Sequence, residues 1–502
     1  ALPDARIEFS TIASNTGAAG SNVAAENSTI DFLSTLLADG TGAALASTFL
    51  SLGNNLDQSG TVGFTGPGDL SGVDPLLGPL QDNGGFVPTR ALLAGSPAID
   101  AGSATSPTLD ARGAIRPLDG DGIGGTVADI GAFELDAALA LTVDNTGDVD
   151  DGDFSPGNLT LREAIRIVNE NGAIATSTIG FDATVFGTSQ TITLTDTLLD
   201  PFNGRHLRVE RSVDIVGPGQ QLLTISGDNL ATVFDFSPSV DSVEFSLSGV
   251  TITEGRNSGF LLTGGAIHVS GGALSISDAT ISNSESPGNG GAISNSVFDN
   301  QNGSVTLVNT TITGNRASDG GAIENGGYMA IINSTISNNI ASPTSSPSGG
   351  YGGGIRNSGT LVIQGSNIIG NQADEDGAGI ESSGSLTVED STITSNSAGS
   401  FGGGIAAFEG TVNILRSTVG GNTAGDSGGG LFSSGSNMLV RDSTITGNQA
   451  IDNGGGIFNY TGGTVAVTNI TIANNEANAS CGGISNGEAF GASSTNSVIL
   501  TN

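Results

Sequence analysis

The sequence predicts an all-β chain wound as a parallel β-helix, a solenoid of three short strands per turn with one short capping helix. Three observations predict it. A Gly-Gly-(Ala/Gly)-(Ile/Leu) phrase recurs along the second half of the chain, ending at Ile267, Ile293, Ile323, Ile355, Ile380, Ile405, Leu431, Ile457 and Ile484, with Gly-Ala-Gly before Ile380 and Cys-Gly-Gly before Ile484. A second phrase, (Ser/Thr)-(Thr/Ile)-(Ile/Val)-x-x-Asn, falls between its copies, as at Thr311–Asn315, Ser391–Asn396 and Ser443–Asn448. The third is composition: 80 glycines and no Trp in 502 residues, with 36% hydrophobic residues, allow a core that is aliphatic and thin.

Each element has its reason. The steps between phrases run from 25 to 32 residues and most are near 26, too short for a domain and right for one turn of a repeat array. Within a step, Leu361-x-Ile363 or Leu386-x-Val388 alternates with a period of two, which suits strands with one face on a core. Stacking in register puts Ile on Ile, and each buried aliphatic side chain contributes roughly 1.5–3 kcal/mol. Asn at a fixed turn position can form amide ladders along the stack. The glycine pairs suit corners that need positive φ or close backbone approach. The longest step carries a Ser/Pro-rich insert over 342–350, expected to bulge from one corner.

Charge excludes several functions. Fifty acidic residues face fourteen basic ones, all Arg, for a net charge of −36. No basic stripe exists to displace counterions from nucleic acid, and an anionic membrane surface would repel the chain. No run of about 18 apolar residues is present, so no membrane insertion by this segment is expected. The lone Cys481 can form neither an internal disulfide nor a thiolate zinc cluster.

The alternating Gly-Gly-Ala-Ile and x-x-Asn phrases resemble the repeats of polymorphic outer-membrane-type adhesins and, more broadly, the right-handed parallel β-helix class of bacterial surface proteins. The resemblance covers about half the chain and departs from the family in placing Thr-Ile or Thr-Val where Phe-x-x-Asn is usual. It implies a secreted or cell-surface location.

A different period appears before the repeats. Leu161, Ala164, Ile165 and Val168 form one helical stripe, and Thr160 with Glu163 matches a capping box. A helix here would lid the open end of a solenoid. The Leu-Arg-Glu-Ala-Ile phrase resembles the N-terminal cap of many secreted β-helix proteins. Earlier still, Gly95–Gly102, Asp110-Ala-Arg-Gly113, Arg116-Pro117 and Asp129–Glu134 resemble the terminal segment of β-helix proteins with variable C-terminal anchors. The order is therefore permuted: last rungs and tail at 1–137, cap and first rungs of a next unit at 138–255, regular repeats at 256–502.

That order leads to the functional expectation of an extracellular structural protein whose partners are copies of itself, joined head to tail into a fibre or surface stalk. The alternative is an adhesin passenger that binds a host or neighbouring-cell ligand; corner aromatics such as Tyr328, Tyr351, Phe401 and Tyr460 would favour it. A third reading is a polysaccharide-degrading enzyme using carboxylates such as Asp374, Glu375, Asp376, Glu389 and Asp390. No rung stands out as an active cleft, so no catalysis is expected. Two acidic clusters are candidates for Ca²⁺, which takes six to eight oxygens from a flexible loop: Asp148, Asp150, Asp151 and Asp153, beside Asp144, and Asp119 with Asp121. The alternative for both is solvated linker charge. His268, next to Ile267, is expected to face solvent, His206 to join a local pair with Glu210, and Cys481 to be a small buried residue.

Overall fold

The computed structural model describes residues 5–15, 22–23, 29–40, 48–81, 83, 87–93, 95–114, 116–118, 120, 126–135, 138–170, 176–195, 205–238, 243–257, 264–295, 303–343, 349–487 and 497–501. The chain divides into two compact units, residues 1–140 with 167–177, and 141–166 with 178–502.

The second unit is the parallel β-helix. One coil shows the pattern: Ser385–Glu389 on a first face, Thr392–Thr394 on a second, Ser397–Ala398 at a corner and Ile405–Phe408 on a third. Repetition along the axis builds sheets of 13, 11, 11 and 8 strands, the first of them parallel from Val213–Val216 onward. The eight-stranded corner sheet is a fourth element per coil that the sequence does not announce. Its strands are mostly two residues long, as in Gln372–Ala373, too short for any alternation to register. The sheets run unbroken past residue 255, with Thr251–Thr253 paired to Thr280–Ser282. The insert residues 344–348 lie outside the described residues.

Packing follows from the register. Ile380, Ile405, Leu431 and Ile457 are partners on successive third-face strands, and all are fully buried. Leu386, Val412, Met438 and Val465 form a matching column on the first face. At the turn after the second face, Asn371, Asn396, Asn422 and Asn448 form a buried ladder: each backbone N–H and side-chain amide donates to the Oδ1 of the next Asn at 2.9–3.0 Å. The glycine phrase has a steric cause. Gly402 sits at φ +64°, and a Cβ on Gly404 would lie 2.5 Å from the Gly430 carbonyl oxygen.

Helix α1, Leu161–Glu170, forms where the stripe predicts it, with Leu161, Ala164, Ile165 and Val168 buried. The capping box is made: the Glu163 N–H donates to Thr160 Oγ1 at 3.2 Å, and the Thr160 N–H to Glu163 Oε2 at 3.1 Å. A second, four-residue helix, α2 (Ala183–Phe186), joins the one helix expected. Its cap is Asp182, whose carboxylate accepts from the Thr184 N–H at 2.7 Å.

The first unit has shorter parallel sheets. Ala5–Glu8, Thr29–Leu33 and Thr48–Ser51 form one; Thr11–Ala13, Leu36–Ala38, Leu56–Asp57 and Leu70–Ser71 form another. An antiparallel pair, Leu77–Gln81 with Thr89–Leu92, follows. The tail motif residues then form buried ion pairs, Arg112 with Asp110 at 2.7 Å and Arg116 with Glu134 at 2.8 Å. Arg112 also lies 3.7 Å from the Phe133 ring centroid. Burial and the neighbouring Glu134 push the Asp129 carboxyl up to about 8.

Candidate functional site

Strands of the third face are three or four residues long: a core residue, an outward residue, then a third that is usually Asn or Ser. The outward position is where coils differ most. In register it reads Asp235, His268, Ser294, Glu324, Arg356, Glu381, Ala406, Phe432 and Phe458. Facing away from the core does not by itself expose a side chain: His268 is 4% exposed, Glu381 7% and Phe432 2%, whereas the Arg356 side chain keeps 35% of its surface accessible. The expectation that His268 faces solvent is corrected accordingly.

At one end of the column Phe432 is packed among other rings. It stacks on Phe401 at 4.6 Å between centroids and 23° between planes, tilts against Phe408 and Phe458, and lies 6.2 Å from Tyr460. Phe401, Phe408 and Tyr460 form the accessible edge of this cluster. Ala406 is the small residue between the aromatic and charged stretches.

The charged stretch is a Glu324–Arg356–Glu381 ladder on three successive strands. Arg356 reaches Glu381 at 3.4 Å and Asp319 at 3.2 Å, and its guanidinium lies 5.8 Å from the Tyr351 ring centroid. Glu324 Oε2 is shut off from solvent and has no hydrogen-bond partner. Burial pushes both glutamates up, each to about 7, against the pull of the Arg356 charge. Burial also raises Asp376, whose Oδ1 accepts from the Phe401 N–H at 2.9 Å, so the acidic and aromatic stretches meet there. Carboxylates with raised pKa values beside a guanidinium can hold or exchange protons near neutrality, and rings beside them can stack on a flat ligand.

Glu324, Arg356 and Glu381 were not singled out from sequence. Their signal is the residue after each buried Ile: aligned on Ile, it changes from coil to coil while the Ile does not. Of the predicted carboxylates, Asp376 belongs here, whereas Glu389 and Asp390 pair with Arg416 instead.

The acidic candidates before helix α1 are held in separate ways. Asp148 takes a two-pronged contact from Arg162, at 2.9 and 3.0 Å, and Asp150 accepts from Arg166 at 2.8 Å. Asp151 Oδ1 accepts from the Asp153 N–H, Asp153 Oδ1 from Ser155, and Asp144 from the N–H groups of Gly157 and Leu159. Asp119 and Asp121 lie outside the described residues. Among the described residues, no three His, Cys, Asp or Glu side chains are grouped to hold a metal ion.

His206 Nε2 lies 3.7 Å from Asp235 Oδ2, and Glu210 pairs with Arg208 at 2.9 Å. The expectation of a buried Cys481 is corrected. Cys481 is exposed. It sits in the last coil of the third sheet, where even Ile484 is only partly covered.

A family model described as "Right handed beta helix region" matches residues 239–425. No curated protein is similar enough to match. Among solved structures, the chain is similar to the A-module of the mannuronan C-5 epimerase AlgE4 of Azotobacter vinelandii, at 12% identity and TM-score 0.36, over 66% of this chain and 95% of that one. It is also similar to PfbA, a surface adhesin of Streptococcus pneumoniae, at 12% identity and TM-score 0.33, over 70% of this chain and 93% of that one.

Proposed function

We propose that this chain is an extracellular β-helix scaffold of the adhesin type, and that it binds a saccharide at the accessible groups of its third face: Arg356 in the charged ladder, and Phe401, Phe408 and Tyr460 at the edge of the ring cluster. One observation carries the reading: Glu324, Arg356, Glu381, Ala406 and Phe432 occupy one register column, so a ring-bearing wall continues directly from a carboxylate–guanidinium ladder. Sugar hydroxyls pair with carboxylates and guanidinium, and sugar faces pack on aromatic rings. Successive coils repeat at the strand spacing of about 4.8 Å, so a linear polymer lying along the axis can reach both Arg356 and the ring edge. Binding is preferred to cleavage because Arg356 contacts Glu381 and Asp319 and ties them into a shared network.

The test is a glycan array followed by calorimetry on the best ligand. Arg356→Ala is expected to weaken binding at least tenfold; because it also strands Glu324 and the buried Glu381, Tyr460→Ala at the accessible ring edge is the second variant, with the same direction of effect and a melting temperature within a few degrees of wild type. Release of reducing ends from the bound polysaccharide would favour the enzyme reading, and no retained glycan at all would reject the saccharide reading.

Head-to-tail association remains a second reading. Leu500 pairs in register with the core residue Val467 and is 70% exposed on the last described strand; a further parallel strand there, from this chain or another copy, would bury it. Light scattering across a hundredfold concentration range tests it: growth with concentration supports association, and a constant monomer mass rejects it.

A further inference from the structure

The second face differs from the third in a way that binding along the third face does not explain. In its eleven strands, the residue before the buried Ile, Val or Leu faces outward, and it is Thr in every strand except Asn367–Ile369. Thr251, Thr280, Thr311 and Thr335 are consecutive members of this column. Two residues on, a second column reads Thr253, Ser282, Thr313 and Ser337, again hydroxyls. No charged residue occurs in any strand of this sheet, although the chain carries a net charge of −36.

β-Propensity alone does not demand this. An exposed strand position accepts Val, Tyr, Ile or a charge about as readily as Thr, and the outward positions of the other long faces vary freely among the same coils. Hydrogen bonds within the protein account for only part of it: Thr251 and Thr280 donate to Gln220, at 2.7 and 2.6 Å, whereas among the described residues the hydroxyls of Thr311, Thr335, Thr392, Thr418 and Thr444 are not held by other protein groups. In the second column, Ser282 reaches Thr253 at 3.3 Å and Ser337 reaches Thr313 at 3.1 Å, which lines the hydroxyls up along the axis.

The result is a neutral lattice of paired methyl and hydroxyl groups. Its repeat is about 4.8 Å along the axis, and about 6.7 Å along each strand between the two columns. No bulge interrupts the register over the four strands from Thr251–Thr253 to Thr335–Ser337. The face has no aromatic ring for a sugar and no charge for an ion. A solid whose surface is itself a neutral lattice of hydrogen-bonding oxygens at nearly these repeats is ice. We propose that the threonine face of the second sheet binds ice: its methyl groups order water in the troughs between columns, and its hydroxyls anchor that water to the crystal.

The experiment compares two variants from one coil. Thr311→Tyr places a ring on the threonine face, and Thr306→Tyr places the same ring on the first face. Freezing hysteresis and inhibition of ice recrystallisation are measured against serum albumin at equal mass. The expected result is activity above albumin for the wild type and for Thr306→Tyr, and a several-fold loss for Thr311→Tyr. Should Thr311→Tyr melt well below Thr306→Tyr, Thr335→Asp replaces it with the same expectation. Wild-type protein no better than albumin, or equal activity in the two folded variants, would overturn the proposal.

Discussion

Replacing Asn396 by Ala isolates the amide ladder from the aliphatic core. The Asn396 Oδ1 accepts from the Asn371 N–H at 2.9 Å and from the Asn371 side-chain amide at 3.0 Å. Its own amide donates to the Ile368 carbonyl at 3.1 Å and to Asn422 Oδ1 at 3.0 Å. Asn371, Asn396 and Asn422 are all essentially buried, so water does not replace what is lost. Asn422 Oδ1 keeps the backbone N–H of residue 396 and the Asn371 side-chain amide keeps the Ile336 carbonyl at 3.0 Å, whereas the Asn371 backbone N–H and the Ile368 carbonyl each lose a partner. At about 1–3 kcal/mol for each buried group left unsatisfied, with some relaxation, the expected cost is roughly 2–5 kcal/mol. In a solenoid that loss falls first on neighbouring coils. Amide exchange read coil by coil should therefore show faster opening of residues 366–424, and the urea midpoint should fall. Gln364→Ala, on an exposed side chain, should change stability by no more than about 0.5 kcal/mol. If Asn396→Ala behaves like Gln364→Ala, the ladder contributes shape and not stability, and the reasoning fails.

Other perturbations follow from the same geometry. Glu324 and Glu381 hold their protons up to about pH 7 when folded but only to their ordinary value near 4.5 when unfolded. Their contribution to stability is thus present below about pH 4.5 and lost as pH rises through 7. The second unit should melt higher at pH 5 than at pH 8, and Glu324→Gln should flatten that difference. Arg162→Ala leaves Asp148 buried without its guanidinium partner and should cost about 3–5 kcal/mol in a denaturant titration; an Arg162→Met/Asp148→Asn pair should recover much of it. Ile405→Asp buries an unpaired charge in a fully enclosed column and should leave the coils around residues 380–431 open to protease. Spin labels at Ser246→Cys and Ala466→Cys, in a Cys481→Ser background, are eight register steps apart on the first face, so their backbones should be separated by about 38 Å.

The parts legible in the sequence share one property: they repeat or have a period. The Ile and Asn columns follow directly from phrases that recur every coil, and helix α1 follows from a stripe with its own capping box. The corner sheet was hidden because two residues cannot display alternation. The third-face column was hidden for the opposite reason. Its members are chemically unlike one another, so they look like noise within the repeat until register places Glu324, Arg356 and Glu381 together. His268 shows the limit of reading inside and outside from alternation alone, since a residue that points away from one core can still be covered. Asp148 and Asp150 looked like free acidic charge because their partners, Arg162 and Arg166, lie about four turns of text away on the helix and meet them only in space.

The most direct test of the recognition surface is amide exchange footprinting with a saturating oligosaccharide chosen from the array. The account predicts protection in peptides covering 319–324, 351–356, 376–381, 401–408 and 432, with Thr311–Thr313 and Thr335–Ser337 on the second face unchanged. Protection confined to any other face, or saturable binding that leaves these third-face peptides as they were, would contradict it.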